Sequence, residues 1–293
     1  MGQRLTWPQR RKDWRAFDAG FRRYAIGGHG RRKVAGEVFA DVLDRRQGNL
    51  RSGSVAARIA FTAAARRLVK DWALSRAQQA YFVTLAPVEF CMREDAAQQF
   101  DFSELQHWVT TQLSGLDFLG IVEVAFYSSH PLPTADLGRA DPAYSFHAHL
   151  IVWNASRSEV KAACDRINGR YPALLPGRKA AHVMSLNSTA RVRSQLTYML
   201  KPQTREYRAW PLGDSGAWTQ KSRPMRFGDA ASMYAVLRGA DIDQLCFGAG
   251  AGVPLLANIA VAARRRLRKQ ERREQRRVMK LLGIASRRRR GHR

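Results

Sequence analysis

Between Ala80 and Leu186 the period of the apolar pattern changes in a set order, and that order limits the folds open to the chain. AYFVTLAP, residues 80–87, is rich in β-formers and stops at Pro87, which reads as a strand. DFSELQHWVTTQLS, residues 101–114, has helical spacing, with Ser103 and Gln106 placed as a capping box and Gly115 closing the helix. FLGIVEVAFY (118–127) and YSFHAHLIVW (144–153) read as strands, joined by a loop, 128–143, that holds Pro131, Pro133, Gly138 and Pro142. SRSEVKAACDRING (156–169) is a helix ended by Gly169, AAHVMSL (180–186) a short strand, and STARVRSQLTYMLK (188–201) a helix stopped by Pro202. The order β-α-β-β-α-β, then one more helix, predicts an α+β fold: an antiparallel sheet with helices on one face.

This unit spans residues 78–203. Residues 1–77 are basic and mainly helical in pattern, RIAFTAAARRLVKDWAL being the clearest amphipathic stretch. Residues 204–262 carry the turn signals PLGDSG, RFGD and FGAGAG and read as an appended helical region. Residues 263–293 form a basic tail, expected as a solvated helix to about Leu282 and unstructured from Arg287 onward. No internal repeat is present.

Charge narrows the partners. With 50 Lys+Arg against 24 Asp+Glu, the net charge is +26, which repels itself unless an anion is near. Nucleic acid comes first, an anionic membrane surface second, ribosomal or other RNA third. Cys91, Cys164 and Cys246 lie far apart, with no Cys-x-x-Cys pair, which fits a reducing cytoplasm. The N-terminus lacks the apolar run of a signal peptide, and Cys246–Ala263 reads as a buried helix from about Pro254, so no membrane association is expected.

Three features can carry chemistry. His147 and His149 are two apart in a strand, point the same way, and are a natural pair of metal ligands. Glu123 lies in an apolar run, where a carboxylate is costly unless paired or bound to a cation. If the two strands form a hairpin, it falls across from the histidines. On the last helix, a buried stripe of Val192, Leu196, Met199 and Leu200 leaves Arg191, Ser194, Gln195, Tyr198 and Lys201 on one polar face. Lys201, one turn after Tyr198, is expected to favour phenolate or to balance charge on a phosphorane. Taken singly, each also has an ordinary reading: a polar strand face, an edge glutamate facing water, a half-buried tyrosine beside a solvated lysine.

FVTL at 82–85, HAH at 147–149 and YMLK at 198–201, in that order, resemble the motifs of HUH endonucleases, over under half of the chain. That family includes rolling-circle replication initiators, conjugative relaxases and single-strand transposases. The resemblance implies a metal site of His147, His149 and Glu123 holding Mg²⁺ or Mn²⁺ (ligand chemistry leaves Zn²⁺ open), Tyr198 as nucleophile and Lys201 beside it. Two-tyrosine members place the second tyrosine one turn after the first. Here Pro202 stands there and Tyr207 lies beyond it, so one tyrosine is expected. A nucleophile after the histidines, with long flanks, points to a replication initiator that nicks single-stranded origin DNA. Arg191 and Arg193 are expected on the strand, and a host helicase and polymerase as partners, since no Walker-type motif is present. Other readings stay open: a transposase or relaxase of the same family, a non-catalytic basic nucleic-acid-binding protein, and a metal-dependent nuclease that uses activated water.

Overall fold

The computed structural model describes residues 6–28, 34, 49–73, 79–129, 142–213, 216–237 and 240–281. Most of the loop 128–143 and everything past Leu281, including the tail expected to be unstructured, lie outside them.

Among the described residues, two helices come first, α1 (Trp7–Ile26) and α2 (Val55–Ala73). The predicted series follows, with a two-residue strand β2 (Cys91–Met92) and a short helix α3 (Glu94–Gln99) added to it: β1 (Ala80–Leu85), then β2 and α3, α4 (Phe102–Gln112), β3 (Asp117–Ser129), β4 (Ala143–Trp153), α5 (Arg157–Arg170), β5 (Ala181–Leu186) and α6 (Thr189–Met199). Local chemistry sets the helix ends. Ser156 and Glu159 form a reciprocal capping box at α5. At α4 the cap is Asp101, whose side chain accepts from the Ser103 amide. The expected Ser103–Gln106 box does not form, because Ser103 already lies inside the first turn. Gln106 instead donates to the Gln244 carbonyl at 2.6 Å.

The region read as an appended helical piece departs from expectation. It supplies β6 (Arg205–Pro211), β7 (Trp218–Pro224) and β8 (Cys246–Ala249), besides α7 (Phe227–Val236) and the one-turn α8 (Ile242–Leu245). The hairpin β6–β7 reads as polar because it lies at the sheet's edge, where Glu206 and Ala209 are its buried residues. Nor does the tail begin at 263. The helix α9 runs unbroken from Gly252 to Leu281, with Pro254 tolerated in its first turn. Its residues Leu255, Ile259, Ala263 and Leu267, four apart, are buried.

The sheet is mixed. Its order is β5-β1-β4-β3-β6-β7, with β2 on β4 and β8 on β3. β6 lies parallel to β3 and all other pairs are antiparallel. An all-antiparallel sheet fails because the chain reaches β6 from α6 rather than through a hairpin. Helices also cover both faces rather than one. Phe146 stacks on Phe100 at 4.0 Å, beside α4, whereas His149, on the opposite face of β4, meets Tyr198 of α6. The main apolar core runs from Phe21 to Leu267, whereas β6 and β7 pack into a smaller cluster with Ala125, Tyr127 and Leu174.

β8 and α9 dock tightly on β3. A Cβ on Gly252 would lie 1.7 Å from the Phe118 carbonyl oxygen. Gly252→Ala is therefore expected to cost about 3 kcal/mol, as overpacking against rigid backbone does. For a chain of this size that lowers the melting temperature by roughly 10 °C, measurable by circular dichroism. Unchanged melting would mean the docking is loose.

Candidate functional site

β3 and β4 pair in a register that sets Glu123 opposite His147 and Ile121 opposite His149. β1 adds Thr84 opposite His149. Because paired residues share a face, Glu123, His147, His149 and Thr84 face one way. A slip of one residue would turn all four into the opposite layer. Glu123, His147 and His149 are buried, and their candidate ligand atoms all lie within 4.8 Å of one another.

Hydrogen bonds orient the imidazoles. His147 Nδ1 lies 3.1 Å from the Ser145 carbonyl oxygen. A carbonyl only accepts, so Nδ1 carries the proton and Nε2 keeps a free lone pair. His149 Nδ1 lies 3.0 Å from the Thr84 hydroxyl, which can take the same role. The His149 ring also stacks on Phe82, with centroids 5.2 Å apart. Each ring is thus held from behind, as ligating histidines commonly are.

The carboxylate is half satisfied. Glu123 Oε1 accepts from Lys201 Nζ. Glu123 Oε2 lies 3.3 Å from His149 Nε2, yet neither atom completes a hydrogen bond. Two buried polar atoms left open at one point are costly, and a cation between them removes the cost. Ligands about 2.0–2.2 Å from a metal are at most about 4.4 Å apart. The group needs only a few tenths of an ångström of closure, within the reach of side-chain rotation. Two imidazoles and a carboxylate suit Mn²⁺, Zn²⁺ or Fe²⁺ better than Mg²⁺.

Tyr198 projects from α6 over this group. Its ring centroid is 5.2 Å from that of His149, and the residue is 37% exposed, so it borders a cleft rather than the core. That cleft, about 360 Å³, is lined by His147, His149, Tyr198, Tyr127, Tyr207 and Gln220 among others. The predicted stripe Val192, Leu196, Met199 and Leu200 is buried. Lys201 departs from its predicted place. α6 ends at Met199, so Lys201 leaves the polar face, turns inward to Glu123 and lies 4.1 Å over the Tyr198 ring. Arg191 is exposed on α6, and Arg193 is partly covered beside Arg66 of α2.

No family model matches the chain. Neither a curated protein nor a solved structure matches it. The residues themselves must carry the reading.

Electrostatics revise the expected role of Lys201. Burial raises the Tyr198 phenol well above its ordinary value, and the nearby Glu123 charge adds to this. The ammonium is engaged by Glu123 and lies over the ring face, so it does not favour phenolate. Burial alone would raise Glu123, but Lys201 and the two histidines outweigh it and hold the carboxyl far below its usual range. Lys201 is itself lowered by burial, against the pull of Glu123.

Three contributors escaped the sequence reading. Arg58 is buried on α2, bonds the carbonyls of Ser52 (2.8 Å) and Lys201 (3.4 Å), and so braces the turn that delivers Lys201. Its signal was a charge on the apolar stripe of RIAFTAAARRLVKDWAL. Thr84 was visible as the polar member of FVTL. Pro202 ends the helix and so takes Tyr207 off its face, but β6 returns Tyr207 to the cleft.

Burial, and then His149, hold the His147 pKa at about 4, against an ordinary 6.5. Between these values the unfolded chain takes up a proton here and the folded chain does not. Stability is therefore complete above about pH 6.5 and falls as the pH drops toward 4. Glu123, also depressed when folded, acts in the same sense at lower pH. Urea unfolding from pH 7 to 4 should show a steeper loss in wild type than in His147→Gln. Parallel pH profiles would deny His147 its part. The same protons compete with a metal, so Mn²⁺ affinity should decline over this range.

Proposed function

We propose that this chain is a metal-dependent nickase and strand transferase for single-stranded DNA, acting through Tyr198 as rolling-circle replication initiators do. The observation that carries the reading is the half-exposed Tyr198 ring against His149, in one cleft with a buried Glu-His-His group. His147 and His149 would hold a divalent cation through Nε2, and Glu123 through Oε2. When bound, that cation would act as a Lewis acid on a phosphodiester in the cleft. Tyr198 attacks phosphorus in line. Its phenol oxygen forms the new P–O bond, the bond to the 3′ oxygen breaks, and the phenol proton ends on the freed 3′-hydroxyl. The 5′ end stays on the tyrosine, and reversal rejoins the strands. With cationic charge on Glu123, the carboxylate no longer opposes ionisation of Tyr198.

Duplex affinity fits the basic face of α9, where Arg265, Arg268, Lys269, Arg272, Arg273 and Arg276 border one groove. In an initiator, the 3′-hydroxyl would prime a host polymerase behind a host helicase.

The test is a denaturing gel after reaction of 5′- and 3′-labelled single strands with protein and Mn²⁺. A covalent adduct on the 3′-labelled fragment supports the tyrosine mechanism. One observation favours a second reading, hydrolysis by an activated water: Lys201 is taken up by Glu123 and the phenol is hard to ionise. Cleavage without any adduct would select that reading.

A further inference from the structure

Away from the histidines, one group of positive charges has no counter-charge among the described residues. Arg10 on α1 and Arg66 on α2 border a small cavity of about 160 Å³, with Trp7 beside them and Ser194 and Thr197 of α6 lining it. Arg66 is fixed: one Nη donates to the Arg193 carbonyl at 2.9 Å and to the Thr197 hydroxyl at 2.6 Å. Its guanidinium lies 5.2 Å over the Trp7 ring. Arg11 lies 5.5 Å from the same ring, and its Nε is buried without a hydrogen-bond partner. Among the described residues, no carboxylate pairs with Arg10, Arg11, Arg66 or Arg193. Burial and the charges of Arg193 and Arg10 all disfavour the cation of Arg66. Folding therefore gathers like charges in a half-enclosed place and leaves guanidinium nitrogens open to it. Such an arrangement is unfavourable without an anion and favourable with one.

The cavity is also well placed. Ser194 and Thr197 belong to the helix that carries Tyr198, and Thr197 precedes it, about 100° round the helix. A strand crossing α6 would set one phosphate at the tyrosine and a neighbouring one among the arginines.

We propose that Arg10 and Arg66 form a phosphate pocket for the backbone of single-stranded DNA, one or two nucleotides from the phosphate that meets Tyr198. The distance to the scissile position rests on the function proposed above; the anion site stands on the cluster.

Binding of dT12 by fluorescence anisotropy, with chelator present so that no chemistry occurs, tests this in the full chain. Arg10→Gln and Arg66→Gln should each weaken binding about tenfold near 0.1 M salt. The slope of log affinity against log salt should fall by about 0.7, the value for one phosphate on a single strand. Because both arginines hold one phosphate, the double variant should lose little more than either single, in affinity and slope. Arg66→Gln removes the tie between α2 and α6 and can unfold the chain. Arg10→Gln makes no such tie, so its unchanged melting keeps the test decisive. Wild-type affinity and slope in Arg10→Gln would overturn the pocket, as would fully additive losses. A free-anion site would show otherwise: millimolar inorganic phosphate would raise wild-type melting, but not that of the variants, with dT12 slopes identical. That result overturns the strand assignment. Losses as expected, with no nicking by wild type under any cation, would uphold the pocket and remove the nickase reading alone.

Discussion

Tyr198→Phe is expected to abolish nicking and the covalent adduct, with a fall in cleavage rate on the order of 10³ or more, while dT12 affinity stays within about twofold. The asymmetry follows from what the hydroxyl does. The ring contacts of Tyr198 are with His149, Phe82 and the Lys201 ammonium, and phenylalanine keeps all of them. Only the oxygen that would bond to phosphorus is lost. Tyr207 sharpens the experiment. It borders the same cleft, and burial, followed by Glu123, raises its phenol as it does that of Tyr198. If the adduct survives in Tyr198→Phe and vanishes in Tyr207→Phe, the nucleophile has been assigned to the wrong strand of chain. If cleavage survives in both single variants and in the double, water is the nucleophile and the tyrosine mechanism is lost.

How much of this could be read beforehand depends on the range of the interaction. Apart from the short β2 and α3, the strands and helices from Ala80 to Met199 follow from apolar period and local breakers, and their order is as expected. The Glu-His-His group was legible because period two and one hairpin suffice to bring it together. Contacts that depend on chain reversal were not. Nothing near Pro202 says that Lys201 turns inward, since its partner lies 78 residues earlier. The polar hairpin β6–β7 hid its edge position, and its parallel pairing with β3 depends on where α6 ends. In the sequence Arg58 and Arg66 stand only as members of a basic helix. Their partners, the Lys201 carbonyl just past α6 for Arg58 and Arg193 and Thr197 on α6 for Arg66, are set by tertiary packing, which no local pattern records.

The ion pair at the centre gives the largest expected change in stability. Glu123 is 3% exposed, and its one committed partner is Lys201. In Lys201→Met the carboxylate is left buried without its cation, a loss of about 3–5 kcal/mol. The melting temperature should fall by roughly 10 °C or more. A divalent ion offers the missing charge at the other oxygen. With Mn²⁺ at about a hundred times the variant's dissociation constant, mass action returns about 2.7 kcal/mol to Lys201→Met and less to the wild type, whose ammonium opposes the ion's charge, so the deficit between them should narrow. Glu123→Gln in the same background removes the buried charge. That double variant should melt above Lys201→Met in chelator and respond little to Mn²⁺. The three curves separate two roles for Lys201. A lysine that only fills space would lower melting equally with and without the cation, and adding Glu123→Gln would not help. A lysine that stands in for a metal gives a deficit that Mn²⁺ repairs only while Glu123 is present. Identical responses to Mn²⁺ with Glu123 or Gln at that position would remove the carboxylate from the metal site, leaving the two histidines alone.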